Sequence, residues 1–286
     1  MNALLEPVLD WYAGAARDLP WRRPGTSPWA VMVSELMLQQ TPVSRVLPVY
    51  ETWLERWPTP AALAAEPSGE AVRAWGRLGY PRRALRLHAS AVAIVDRHGG
   101  EVPSEYDDLR ALPGVGDYTA SAIASFAYGG SHAVLDTNVR RVLGRAVSAT
   151  EFPTRSVTRA ERELASSLVP DDRPEVWAVA VMELGALVCT ASRPLCDACP
   201  IVAQCAWHAA GRPAYDGPAR PTQRYDGTDR QCRGRILAVL RESHAVVPAR
   251  RIDAAWADEA QRERALAGLL TDGLVVSAPG GYALPG

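Results

Sequence analysis

The residues best suited to chemistry are a glycine-rich turn followed by an aspartate, and a cluster of cysteines. In Leu112-Pro-Gly-Val-Gly116 the two glycines can take backbone angles closed to other residues. The turn can therefore aim successive amide hydrogens outward, where the apolar-periodic run Tyr118 to Tyr128 supplies a helix N-terminus. Such a surface suits an anion and has the form of a phosphate grip. Downstream, Ser131 to Leu135 is short and mostly non-helical, and Asp136 stands where an N-cap is wanted, ahead of Val139, Val142 and Leu143 at helical spacing. Taken singly, the glycines equally suit a plain tight turn, and the aspartate a plain cap.

Four of the five cysteines lie close together: Cys189, Cys196, Cys199 and Cys205, with six, two and five residues between successive members. The N-terminus carries Glu6 and Asp10 where a signal peptide would be basic, so a metal site is expected over disulfides, in a cytoplasmic protein. Zinc is usually bound by two short Cys-x-x-Cys knuckles, and only Cys196 and Cys199 form one. Four sulfurs of graded spacing around a compact loop suit an iron–sulfur cube better. Cys232 stands apart and reads as a plain thiol.

The elements that must position these residues read as short helices with tight connections. Leu4 to Ala16 is amphipathic and is followed by an irregular arginine-rich stretch, Arg17 to Ser27. Ser27 and Pro28 start a helix over Trp29 to Gln39, halted near Pro42. It carries one acid, Glu35, among Val31, Met32, Leu36, Met37 and Leu38. An acid there either lies on a wet face or is paired or held neutral at some cost. Helices follow over Val43 to Trp57, Pro60 to Glu66 and around Val72 to Arg77. The turn Leu78-Gly-Tyr-Pro-Arg-Arg83 then presents an aromatic and two arginines, a composition suited to stacking and phosphate contact or simply to a loop. Ala84 to His98 is a long helix that Gly99 and Gly100 end, and Arg155 to Leu168 and Glu175 to Val188 complete an all-α first two-thirds. Ala209 to Arg230 reads as a linker. Beyond it, helices at Gly234 to Glu242 and Glu259 to Leu270 and a β-ribbon between Gly273 and Leu284 make a winged-helix-like unit.

The 286 residues suffice for about two domains, and 48% hydrophobic with 22% charged residues is ordinary for a globular chain. No apolar run is long enough to span a bilayer. A net charge of -1 disfavours indiscriminate nucleic-acid binding while allowing a local basic face. Every one of the 31 basic residues is arginine.

The cysteine spacing, the Leu112-Pro-Gly-Val-Gly116 turn and Asp136 together resemble the endonuclease III and MutY branch of the helix-hairpin-helix DNA glycosylases, over roughly Leu4 to Ala210. Leu19-Pro-Trp-Arg22, Ser34-Glu-Leu-Met-Leu-Gln-Gln-Thr41, Leu78-Gly-Tyr80 and Met182-Glu-Leu-Gly-Ala-Leu-Val-Cys189 resemble the adenine-removing, MutY-type members specifically. The resemblance implies a two-lobed all-α fold. Residues 1–26 and 137–208 would form a [4Fe-4S] domain, 27–136 the helix-hairpin-helix domain, 209–230 a linker, and 231–286 a winged-helix-like tail.

The same resemblance implies a monomeric enzyme acting on duplex DNA at the nucleoid, removing adenine opposite 8-oxoguanine or guanine. Cys189, Cys196, Cys199 and Cys205 would hold the cluster, and Gly114, Val115 and Gly116 a DNA phosphate. Bifunctional relatives attack the sugar with a lysine after the hairpin; this chain has Tyr118 there and no lysine anywhere, so hydrolysis with two carboxylates remains. Glu35 would protonate the purine and Asp136 steady the cationic sugar, with Tyr118 and Asn138 bracketing it. Trp21, Arg22 and Glu183 would line the adenine pocket, Glu183 accepting from the exocyclic amine. Gln40, Thr41, Leu78 and Tyr80 would form the wedge that fills the gap left by the extruded base.

Two departures stand out. The family's usual Asp-Gly-Asn is Asp136-Thr-Asn138 here, and the tail is too short and wrongly patterned for the Nudix-like domain that many MutY enzymes carry. Two other readings remain open: a thymine or uracil mismatch glycosylase of the same superfamily, and a non-catalytic DNA-binding protein.

Overall fold

The computed structural model describes residues 2–217 and 225–286. In chain order the first helices are α1 (Leu5–Ala15), α2 (Pro28–Leu38), α3 (Val43–Arg56), α4 (Pro60–Ala64), α5 (Ser68–Trp75) and α6 (Arg82–His98). They continue with α7 (Tyr106–Arg110), α8 (Asp117–Tyr128), α9 (Thr137–Ala146), α10 (Arg159–Ser167), α11 (Pro174–Leu187) and α12 (Ala206–Ala209). The C-terminal elements are α13 (Asp229–Arg241), β1 (Val247–Pro248), α14 (Ala249–Asp253), α15 (Glu259–Thr271), β2 (Val276–Ala278) and β3 (Gly281–Ala283). Each helix expected from apolar periodicity forms, with ends displaced by a few residues. The helices that periodicity missed, α7, α12 and α14, have five residues or fewer, too short to show a period. Part of the expected linker, 218–224, lies outside the described residues. No described helix is long and apolar enough to cross a membrane.

The described residues fall into two compact units, one from 2–31, 104–110 and 115–217, the other from 32–103, 111–114 and 225–286. In the first, α1, α9 and α11 share a core of Val8, Val139, Val142, Leu143, Trp177, Val181 and Leu184. Asp136 starts α9 as the sequence suggests: its side chain accepts from the Val139 amide at 2.6 Å. Thr158 and Glu161 close a reciprocal capping box on α10.

In the second unit the indoles of Trp53, Trp57 and Trp75 meet edge to face, with centroids 4.6 and 5.7 Å apart, beneath α3 and α5. The α6 helix stops where Gly99 turns left-handed at φ 61°. The tail forms the expected winged-helix-like arrangement around a three-stranded antiparallel sheet, with β3 central between β1 and β2.

Candidate active site

The hairpin is built from α7, the Ala111–Gly116 turn and α8. Gly114 is left-handed at φ 79°, and a Cβ there would come within 2.6 Å of the Arg86 side chain, so glycine is required on both counts. Gly116 differs from expectation: its φ of -98° is open to any residue, and a Cβ would meet nothing. Its value lies in having no side chain over the first turn of α8, whose amides lack intrahelical acceptors. The Val115 carbonyl accepts from Arg110 Nη1 at 3.1 Å, which turns the N–H of the following trans peptide, that of Gly116, the other way. Asp117 anchors the helix start against Arg110 and Arg162, each at 2.9 Å.

Asp136 is placed by its own cap bond and by its neighbours. Oδ1 accepts from Val139 N, and Oδ2 accepts from Asn138 Nδ2 at 2.8 Å. The other end of that amide, Oδ1, accepts from Arg141 Nη2 at 2.8 Å, which fixes the amide's orientation. Arg141 is itself buried and also donates to Gly185 O and Cys189 O, both at 2.7 Å. Burial pushes the Asp136 carboxyl above the usual carboxylate range, against the pull of the Val139 amide and Asn138. Among the described residues no arginine pairs with it directly, so its charge, once formed, is poorly compensated and favours a nearby cation.

This arrangement depends on α11 approaching α9 closely. A Cβ on residue 185 would lie 2.7 Å from Asn138 Cβ and 2.9 Å from Asn138 O. Gly185 lies within the Met182–Cys189 motif, but its role, like that of Arg141, was not visible in the sequence. Tyr118 is half-buried and packs with Phe126 and Met182 against Ala122, Val134 and Ala178.

Glu183, on the same helix, is fully buried. Its Oε1 accepts from the Arg17 amide at 3.1 Å and Nε at 2.6 Å, and its Oε2 from Arg17 Nη2 at 2.7 Å and Arg22 Nη2 at 2.9 Å. Burial alone would raise this carboxyl, yet Arg17 and Arg22 outweigh it and hold it at about 2. Four donors fill the roughly four acceptor sites of a carboxylate. With these four bonds in place, Glu183 accepts from a base amine only by releasing an arginine donor. The open valence belongs to Arg22, whose Nη1 is buried with no hydrogen-bond partner among the described residues. Trp21 beside it is buried. Arg17, which no motif singled out, is the residue that sequence reasoning missed.

In the other unit, Glu35 is 4% exposed on α2, while Met32, Val33, Leu36 and Met37 are each 0% exposed. The wet-face alternative for this acid is overturned, because the helix is buried nearly all round. Gln40 and Tyr80 are exposed, and both are non-glycine residues in the left-handed region, at φ 57° and 45°. Such backbone strain persists only where the surroundings hold it, and is frequent at ligand-contacting positions. Thr41 and Leu78 are buried beneath these tips, at 6% and 2% exposure, with Thr41 Oγ1 donating to Leu78 O at 3.1 Å. Leu78 is therefore a core side chain here, not a projecting wedge. Arg83 is likewise turned inward, donating to Leu36 O and Met37 O at 2.9 Å and Thr41 Oγ1 at 2.8 Å. It splints the two strained turns and is not available to phosphate.

The four cysteines carry free thiols and line one open pocket together with Arg145, Leu195, Trp207 and His208. Among the described residues no three metal-binding side chains converge on a single-ion position. Arg145 is 1% exposed and donates to Cys189 Sγ at 3.3 Å and Thr190 O at 2.8 Å, with the Trp207 ring 4.7 Å from its guanidinium. A sulfur set that would carry negative charge thus faces a buried cation, and these donors fit a thiolate-bound group.

The HhH-GPD superfamily of base excision DNA repair proteins matches residues 33–167. The adenine DNA glycosylase of Mycolicibacterium smegmatis is 53% identical over 98% of this chain and 95% of its own length. That of Mycobacterium tuberculosis is 50% identical over 98% of this chain and 92% of its own. Among solved structures, a thermostable thymine-DNA glycosylase superposes with a TM-score of 0.65 at 25% identity, covering 71% of this chain and 94% of its own.

Proposed function

The chain belongs to the adenine DNA glycosylases of the HhH-GPD base excision repair superfamily, and from that membership we propose how its residues act. The reaction is hydrolysis of the N-glycosidic bond of adenine mispaired with 8-oxoguanine or guanine in duplex DNA. Both carboxylates come from one chain, so a monomer is proposed, acting on nucleoid DNA in the cytoplasm.

The observation that carries the reading is the placement of Asp136, a half-buried carboxylate at the start of α9, oriented by Val139 and Asn138 and, among the described residues, without a salt-bridge partner. With adenine extruded, Glu35 gives its proton to ring nitrogen 7. The C1′–N9 bond breaks, its electron pair leaves with adenine, and the cationic sugar faces Asp136. Water adds at C1′ and its proton returns to Glu35, leaving an abasic site. The burial of Glu35 among apolar side chains supports this role, since it shields the acid from bulk water. Arg22 Nη1 supplies the donor for a ring nitrogen of the base. Tyr118 and Asn138 bound the sugar, Gly114, Val115 and Gly116 hold a phosphate, and Gln40 and Tyr80 enter the stack, backed by Thr41 and Leu78.

No lysine exists to form a Schiff base, so the strand stays intact. Cys189, Cys196, Cys199 and Cys205 are assigned a [4Fe-4S] cluster, supported by their common cavity and the Arg145 donor. The four thiolates would hold such a group between α11 and α12, and so link the two ends of that loop.

The test is base release from duplexes carrying adenine, thymine or uracil opposite guanine, with adenine opposite 8-oxoguanine alongside. Adenine release alone is expected. Preferential release of thymine or uracil would put the enzyme in the mismatch class represented by the thymine-DNA glycosylase above, and no release would mean a DNA-binding protein.

A further inference from the structure

The hairpin grip of Gly114, Val115 and Gly116 offers a phosphate backbone amides, which carry no formal charge. The chain as a whole, at a net charge of -1, adds no general attraction to a polyanion. The α6 helix, however, brings a cation to the turn. Ser90, fully buried on α6, donates its hydroxyl to Pro113 O at 2.6 Å and so ties the turn to the helix. Arg86 lies one turn earlier on the same face of α6. A Cβ on residue 114 would stand 2.6 Å from Arg86 Cβ, 3.0 Å from Cγ and 2.8 Å from Cδ, so three carbons of the side chain run along the Gly114 backbone. Arginine lays its apolar stem on a surface and keeps its head in water, and Arg86 is exposed. Its guanidinium begins one bond beyond Cδ, at the lip of the turn.

The other charges along these segments are matched within the protein. Arg82, four residues before Arg86, pairs with Asp272 at 3.3 Å, and the Asp117 carboxylate after the turn accepts from Arg110 and Arg162, each at 2.9 Å. No carboxylate among the described residues pairs with Arg86. A guanidinium whose stem is already ordered by packing loses little freedom on binding, and its planar fork can engage a phosphate through two N–H groups.

We propose that Arg86 is a further DNA-binding residue: its guanidinium contacts the phosphate held by the hairpin amides and supplies the positive charge of that grip. The proposal rests on the hairpin reading above. Glycine at 114 then serves twice, once for the left-handed turn and once as the seat of the arginine stem.

The experiment uses three full-length variants beside wild type. Arg86→Gln keeps the three carbons that lie on Gly114 and removes only the guanidinium. Gly116→Val sets a side chain over the first-turn amides of α8, at a position where a Cβ meets no other residue. Arg97→Gln, an exposed arginine farther along α6, is the control. Each is titrated against duplexes with adenine opposite guanine in which one phosphate at a time, around the adenine, is replaced by an uncharged methylphosphonate. Wild type is expected to lose about five- to tenfold in affinity when the phosphate at the hairpin is neutralised. Arg86→Gln binds the unmodified duplex about five- to tenfold more weakly, loses less than about twofold further at that phosphate, and shows a salt slope smaller by about one. Gly116→Val loses its sensitivity at the same phosphate, and Arg97→Gln matches wild type. Wild-type affinity in Arg86→Gln, or undiminished sensitivity at the phosphate that Gly116→Val no longer feels, overturns the proposal and leaves the hairpin reading standing. Wild-type sensitivity of Gly116→Val at every phosphate overturns the hairpin reading, and the proposal with it.

Discussion

Asn138 Nδ2 donates to Asp136 Oδ2 at 2.8 Å while Asn138 Oδ1 accepts from Arg141 at the same distance. One amide thus relays the position of a buried guanidinium to the carboxylate at the start of α9. Arg141 also holds the Cys189 carbonyl at 2.7 Å, so the cysteine loop and the carboxylate are set by the same side chain. Arg141→Met should leave the Gly185 and Cys189 carbonyls unpaired and lower stability by about 2–4 kcal/mol. Urea unfolding checks this, and adenine excision should slow even in the fraction that remains folded.

Asp136→Asn separates capping from catalysis. Asparagine caps a helix about as well as aspartate, and burial disfavours the charged form here. Thermal stability should therefore change by less than about 1 kcal/mol, while single-turnover excision falls at least about 100-fold. A parallel loss of both would assign Asp136 a structural role only.

Gly185→Ala sets two effects against each other. Helix propensity alone favours alanine by about 1 kcal/mol. The new Cβ would meet Asn138 Cβ at 2.7 Å, and overpacking of that kind costs about 1–3 kcal/mol. Since backbone must move, the clash should win, giving a lower melting temperature and slower excision.

Glu183 makes stability acid-sensitive. Its carboxyl is held at about 2 in the folded chain, against about 4.3 when unfolded. A depressed folded value stabilises above the unfolded one, and the benefit is lost as pH falls between about 5 and 2. The size is about 3 kcal/mol. Glu183→Gln should be less stable at pH 7, since two guanidiniums lose their counter-charge, and should show a flatter stability profile over that acid range.

Helix positions were legible because apolar periodicity and caps such as Ser27 and Asp136 are local signals. The grouping of the cysteines and the Asp136 cap were legible from residue type and spacing, while the roles proposed for them came from the resemblance. What the sequence could not show was three-dimensional pairing. Glu35 was ambiguous from spacing alone, and only its 4% exposure decides that its helix has no wet face. Arg83 and Leu78 read as surface residues because loops usually are, whereas both are buried supports for Tyr80 and Thr41. The saturation of Glu183 by Arg17 and Arg22 joins segments about 160 residues apart, which no pattern along the chain reports.

The central claim is lysine-free excision driven by a buried acid. It is tested most directly by single-turnover incubation of wild type and Glu35→Gln with a duplex carrying adenine opposite 8-oxoguanine, read with and without alkali. The account predicts that wild type yields strand breaks only after alkali, and that Glu35→Gln is slower by at least about 100-fold. Breaks without alkali, or a Glu35→Gln rate close to that of wild type, would contradict it.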